Sequence, residues 1–154
     1  MRTAEQLRYL ILASQREGNR TLMTLLSEID LTPAQSEALR ILADHGPLAL
    51  KELGDMLVCD SGTSPSRIVD RLVAAGLVHR EAGERDRRQV RLSVTPQGAD
   101  RAARVRGIED RLYDSIDSAL SADDAQSLLR ILRLLTEGSR ARDALEKRLA
   151  AEGP

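Results

Sequence analysis

Aromatic residues are almost missing from this chain: there is no Trp and no Phe among its 154 residues, and Tyr9 and Tyr113 are the only tyrosines. A core made without them has to be aliphatic, built from Leu, Ile, Val and Ala, and that suits packed helices. Cysteine is nearly as scarce. A single residue, Cys59, excludes an intrachain disulfide framework. His45 and His79 are the only histidines, and with one cysteine they make a poor metal set, so neither metal nor cofactor is expected. No apolar run approaches the roughly 20 residues of a membrane span. The start, "MRTAEQLRYLILAS", interleaves apolar with polar residues and has no signal-peptide cleavage pattern. A cytoplasmic protein, not a membrane protein, is the expectation. No Gly-x-Gly-x-x-Gly follows a strand, and no Ser/His/Asp or paired-carboxylate arrangement stands out, which argues against an enzyme.

What is present suits one domain, or one small domain with appended helices. The net charge of −1 by itself argues against a nucleic-acid binder, but the distribution argues the other way. Residues 1–60 carry six Lys or Arg against nine Asp or Glu, and residues 107–154 carry seven against ten. Residues 61–106 carry ten Arg against five acids. A basic middle between acidic ends is the footprint of an anion-binding segment held by acidic helices.

Hydrophobic spacing places a first long helix from about Thr3 to Glu28, with Leu7, Leu10, Ile11, Leu22, Leu25, Leu26 and Ile29 at intervals of three and four. "LTPAQ" opens a second helix, with Thr32 as N-cap, Pro33 at the first helical position and Gln35 completing a capping box. It turns Ala38, Leu39 and Leu42 inward and stops at Gly46-Pro47. A short helix in "LKELGDMLV" carries Leu50, Leu53 and Leu57 on one face. After the break "CDSGTSP", the segment "SRIVDRLVAAG" buries Ile68, Val69, Leu72 and Val73 and turns Thr63, Ser66, Arg67, Asp70 and Arg71 outward, before Gly76 ends it. Two short helices around a tight glycine-containing break read as a helix-turn-helix.

A hairpin follows at once. "GLVHREA" offers a short strand, and Val90, Leu92 and Val94 alternate with Gln89, Arg91 and Ser93 in a second. The loop between them holds Arg85, Asp86, Arg87 and Arg88. Taken alone, such a run is as readily a solvated turn as a binding element. Thr95 caps a long helix from Pro96 to about Ser118, and Ser121 caps a last one whose face holds Leu128, Leu129, Ile131, Leu132 and Leu135, with Leu145 and Leu149 extending it.

In this order the elements resemble the MarR family of bacterial transcriptional regulators, over roughly residues 4 to 140. The most specific match is the wing signature, Asp-x-Arg followed after five residues by Leu-Thr, met here by Asp86, Arg88, Val94 and Thr95 with Val in place of Leu. "SRIVDRLVAAGLVHR" looks like the family's recognition helix running into the first wing strand. One departure is Pro65, which is comfortable at the first helical position after a Ser64 cap and costly if the helix begins at Ser61.

The resemblance implies a mainly α fold, a winged helix-turn-helix of order α-α-β-α-α-β-wing-β-α-α, whose N- and C-terminal helices form a dimerisation region. Residues 1–30 and 107–150 would form that region, and residues 31–106 the DNA-binding lobe. Its partners would be double-stranded DNA and a second copy of itself. Thr63, Ser64, Ser66, Arg67, Arg71, Arg85, Arg87 and Arg88 are the expected DNA-binding residues. Arg67 and Arg71 would meet base edges or phosphates, the serines phosphate, and the wing arginines the minor groove. Asp86 would orient a wing arginine through a salt bridge, and Asp70 would do likewise for its neighbours. Leu7, Leu10, Ile11, Leu128, Leu129, Ile131, Leu132 and Leu135 are the expected dimer contacts. Relatives respond to small phenolic or aromatic acids and more often repress than activate; no residue here identifies an effector. The reactive cysteine of the best-known peroxide-sensing branch lies in the first helix, where this chain has none, so Cys59 is expected to pack near the turn instead. Tyr9 and Tyr113 are expected to pack and not to line an effector pocket. The competing reading is a winged helix that binds another protein as an anti-repressor, which would have no need of so basic a wing.

Overall fold

The computed structural model describes residues 1–59, 62–82 and 90–151. The helices are α1 (Thr3–Ser27), α2 (Pro33–His45), α3 (Leu50–Met56), α4 (Pro65–Ala74), α5 (Pro96–Ala119), α6 (Ala122–Leu135) and α7 (Arg140–Ala151). Three antiparallel strands, β1 (Leu48–Ala49), β2 (Val78–Ala82) and β3 (Val90–Val94), lie in the order β1-β3-β2. Leu48 stands opposite Leu92, and Val78 to Ala82 pair with Val94 to Val90. Among the described residues, no helix is long and apolar enough to cross a membrane.

Local chemistry sets the boundaries. The Thr32 hydroxyl accepts the Gln35 N–H at 3.3 Å while the Gln35 side chain accepts the Thr32 N–H at 2.9 Å, so the expected capping box is present. Helix α4 begins at Pro65 after an extended Ser64, the start at which proline costs nothing. Gly76, with φ of +71°, ends that segment in the left-handed conformation. Ser121 caps α6 as expected.

The core forms around α2, whose Ala34, Ser36, Ala38, Leu39, Ile41 and Leu42 are all buried. The end of α1 (Leu26), α3 (Leu53), α4 (Ile68, Val69 and Leu72), β3 (Leu92) and α5 (Ala102, Val105 and Ile108) close around it. Three expectations need correcting. Leu50 is exposed, because it is the first residue of α3 and sits at the surface end of that helix. Tyr9 and Tyr113 are about half exposed and pack into no core of this chain. The last apolar stripe does not run on through Leu145 and Leu149. Thr136 ends α6, Gly138 takes φ of +71°, and α7 turns back to pack on α3 with Ala144 buried.

A four-way junction fixes the hairpin against α4 and α5. Thr95 is 6% exposed; its N–H donates to the Leu77 carbonyl at 3.0 Å and its hydroxyl to the Gly76 carbonyl at 2.7 Å. The same hydroxyl oxygen accepts the Gly98 N–H at 2.9 Å and so caps α5. Gly98 has no room for a side chain: a Cβ there would lie 1.9 Å from the Leu77 carbonyl oxygen, which is backbone and cannot swing aside. Gly98→Ala is expected to cost about 2 kcal/mol or more. Denaturant unfolding checks this, and a variant as stable as wild type would contradict it.

Helix α5 is tied to α2 by charges. Arg40 lies 3.2 Å from Asp44 and 3.4 Å from Glu109, and Arg106 also pairs with Asp44. Burial pushes the Glu109 carboxyl above the usual carboxylate range, against the pull of Arg40 and Arg148. The folded protein therefore holds this proton more tightly than the unfolded chain. Stability from this group is lost as pH rises from the ordinary carboxylate pKa to the raised one, and changes no further above it. The melting temperature of Glu109→Gln relative to wild type should rise with pH over that mildly acidic window and then level off. A constant difference across the window would contradict the assignment.

Candidate nucleic-acid interface

The recognition-helix candidate α4 is amphipathic in the plainest sense. Ile68, Val69 and Leu72 are buried while Ser64, Ser66, Arg67, Asp70 and Arg71 are exposed on the other side. Thr63 is half-buried, and Ser64 and Ser66 place their hydroxyl oxygens 3.1 Å apart. Among the described residues, nothing hydrogen-bonds to or ion-pairs with the guanidinium groups of Arg67 and Arg71. Two extended cations held on a rigid helix are suited to bidentate contact with phosphates or guanine edges.

Asp70 corrects the sequence reading. Its carboxylate pairs with Arg80 on β2, not with Arg67 or Arg71. Both partners are well exposed, so the bond adds little stability. Its effect is local: it offsets a negative charge that would otherwise repel phosphate beside Arg67 and Arg71.

The hairpin starts where the junction at Thr95 holds it and is paired as far as Ala82 and Val90. Arg85, Asp86, Arg87 and Arg88 lie outside the described residues. Arg91, on β3, is committed elsewhere: it pairs with Glu52 at 2.9 Å and donates to the Pro47 carbonyl at 2.5 Å, tying the sheet to α3.

Seven of the eight expected dimer residues are exposed. Leu7, Leu10, Ile11, Leu128, Leu129, Ile131 and Leu135 are each 43% exposed or more, and Leu132 is half-buried. Leu134, at 63%, adds to the same surface and was not singled out from the sequence. So much apolar surface on two helices is more than a soluble monomer ordinarily leaves exposed.

Sequence reasoning missed Glu37. This α2 carboxylate accepts the backbone N–H groups of Val58 and Cys59, at 3.0 and 2.8 Å, in the segment between α3 and α4. Cys59 is half-buried in that segment, near the turn where it was expected. No local pattern could announce a contact that spans 21 positions.

A helix-turn-helix followed by a two-stranded hairpin and flanked by helices with unburied apolar faces is the architecture of a winged helix-turn-helix protein. Comparison with known proteins agrees. The MarR family model matches residues 31–90. The organic hydroperoxide resistance transcriptional regulator of Bacillus subtilis is 36% identical over 99 residues, 64% of this chain and 67% of the relative. The HTH-type transcriptional regulator FarR of Neisseria gonorrhoeae is 31% identical over 121 residues, covering 79% of this chain and 80% of FarR. A crystal structure of a MarR mutant from E. coli complexed with operator DNA superposes with a TM-score of 0.74 at 28% identity, over 84% of this chain and 93% of that one. The chain belongs to the MarR family.

The two arms of the interface should separate experimentally. Arg67→Ala is expected to cost about 1–3 kcal/mol on the preferred site and to relax base preference at one position per half-site. A triple alanine variant of Arg85, Arg87 and Arg88 should instead weaken binding to all sequences and lower the salt slope of log K by about one per lost phosphate contact. Wild-type affinity and slope in the triple variant would reduce the hairpin tip to a solvated turn.

Proposed function

We propose that this chain is a sequence-specific DNA-binding transcriptional regulator, a ligand-responsive repressor that holds a pseudo-palindromic operator as a homodimer. The observation that carries this reading is the exposed face of α4, where Arg67 and Arg71 stand unpaired among the described residues on a helix whose other side is locked into the core. The E. coli relative crystallised on operator DNA supports it, at 28% identity. Arg67 and Arg71 would work in the major groove with Ser64 and Ser66 on phosphate, and the hairpin would lie against the adjacent minor groove. Asp86 would orient one of its arginines. Such a protein acts in the cytoplasm and has no catalytic step.

The bare apolar faces of α1 and α6 supply the second half of the mechanism. Covered by a second copy, they would hold two recognition helices at a fixed separation, so that two half-sites are engaged together. A cavity of about 270 Å³ between α1 and the DNA-reading lobe, bounded by Asn19, Met23, Gln35, Cys59, Ile68 and Arg71, suits a small aromatic or phenolic acid. A carboxylate there would compete with DNA for Arg71, which gives release on ligand binding a direct physical route.

Light scattering of the purified protein should give twice the 16.9 kDa chain mass at micromolar concentration. A gel shift against the protein's own upstream DNA should be lost, together with the dimer, in Leu132→Asp. A monomeric variant with undiminished affinity would contradict the two-half-site reading.

A further inference from the structure

Glu37 stands at a meeting of three elements. Its side chain is 12% exposed, and besides the Val58 and Cys59 N–H groups it accepts a hydrogen bond from Arg148 of α7 at 3.0 Å. Val58 and Cys59 follow the extended residue that ends α3, so their amides have no helical partners, and the carboxylate is what they bond to. An anion this sheltered is costly without a cation, and Arg148 supplies it. One residue earlier, Lys147 pairs with Asp55 of α3 at 3.1 Å, so α7 grips the helix-turn-helix at two points. The other end of α7 reaches the same corner: Arg140 lines a cavity of about 280 Å³ with Gly54, Val58, Thr63 and Pro65, the last of which opens α4.

We propose that Arg148 is a positioning residue for DNA recognition. Through Glu37 it holds the segment between α3 and α4, so that α7 acts as a strut from the helical base to the corner where the recognition helix begins. A strut of this kind transmits the arrangement of the base to α4, because α7 joins α6 through the left-handed Gly138. Arg148 itself acts inside the protein: its guanidinium is spent on Glu37 and lies near Glu109, where it works against the upward push of burial on that carboxyl. The inference rests on the reading of α4 as the DNA-reading helix.

The test uses the full chain in five forms: wild type, Arg148→Ala, Arg148→Lys, Glu37→Gln and the Glu37→Gln/Arg148→Ala double variant. Operator affinity at several salt concentrations, molecular mass and amide hydrogen exchange are measured for each. Arg148→Ala should lose about three- to tenfold in affinity with an unchanged salt slope, since no phosphate contact is removed. Its mass should remain that of wild type, and exchange should quicken at Val58 and Cys59 and not across the core. Arg148→Lys, with a cation still within reach, should recover most of the affinity. Glu37→Gln should match the loss, and adding Arg148→Ala to it should cost nothing more. Affinity within about twofold of wild type and unaltered exchange at Val58 and Cys59 would overturn the proposal, as would additive losses. A salt slope reduced by about one per chain in Arg148→Ala would also overturn it, by making Arg148 a phosphate contact. If wild type binds no DNA, the DNA reading has failed, and exchange at Val58 and Cys59 still decides whether the strut exists.

Discussion

The relative pose of the helix-turn-helix and the hairpin depends on one buried threonine. Thr95 donates to the carbonyls of Gly76 and Leu77 and accepts from Gly98, so a single residue joins the end of α4, the start of β2, the end of β3 and the first turn of α5. Without these bonds the Leu77 carbonyl and the Gly98 N–H, both on buried residues, would lack a partner. The absence of a side chain at Gly98 permits the close approach, and the left-handed Gly76 allows the chain to leave α4 in the required direction. The proposed reading of adjacent grooves of one duplex needs a fixed angle between these two elements, and this junction sets the angle.

The second constraint is an apolar surplus. The core formed around α2 uses the C-terminal turns of α1 and the N-terminal half of α5, leaving Leu7, Leu10 and Ile11 at one end and most of α6 without cover. The sequence has almost no aromatic residues with which to fill gaps, so its aliphatic stripes are wide, and a single copy cannot bury them all. In the proposed homodimer, pairing of two copies would cover these faces and so would be part of folding as well as of DNA recognition. The contacts of Glu37, Arg40, Glu109 and Arg148 join α2 to α5 and α7.

Much of this was legible because it is local. The Thr32 and Gln35 box, Thr95 before Pro96, the start of α4 at Pro65 and its apolar stripe are each written within a few positions and appear in place, although Val73 of that stripe is only partly buried and the Ser64 side chain makes no capping bond. The break between α6 and α7 had its signal too, a glycine terminator at Gly138 followed by Ser139, whose hydroxyl accepts the Arg142 N–H at 3.2 Å. The apolar spacing that runs on through Leu145 masked it. Pairs made by tertiary approach left no trace in sequence: Asp70 with Arg80 depends on how β2 lies along α4, and Glu37 with Arg148 joins residues 111 positions apart. Charge could be counted along the chain, but which arginines are spent inside the protein, as Arg91 and Arg148 are, needed the fold.

The central claim is that two copies present two recognition helices to one duplex. Selection of DNA by the purified protein from a random pool tests it most directly, because the pool favours no particular site. The account predicts an inverted repeat whose half-site centres lie about 10 base pairs, or a multiple of that, apart. A single unrepeated motif, or no enrichment by a folded protein, would contradict it.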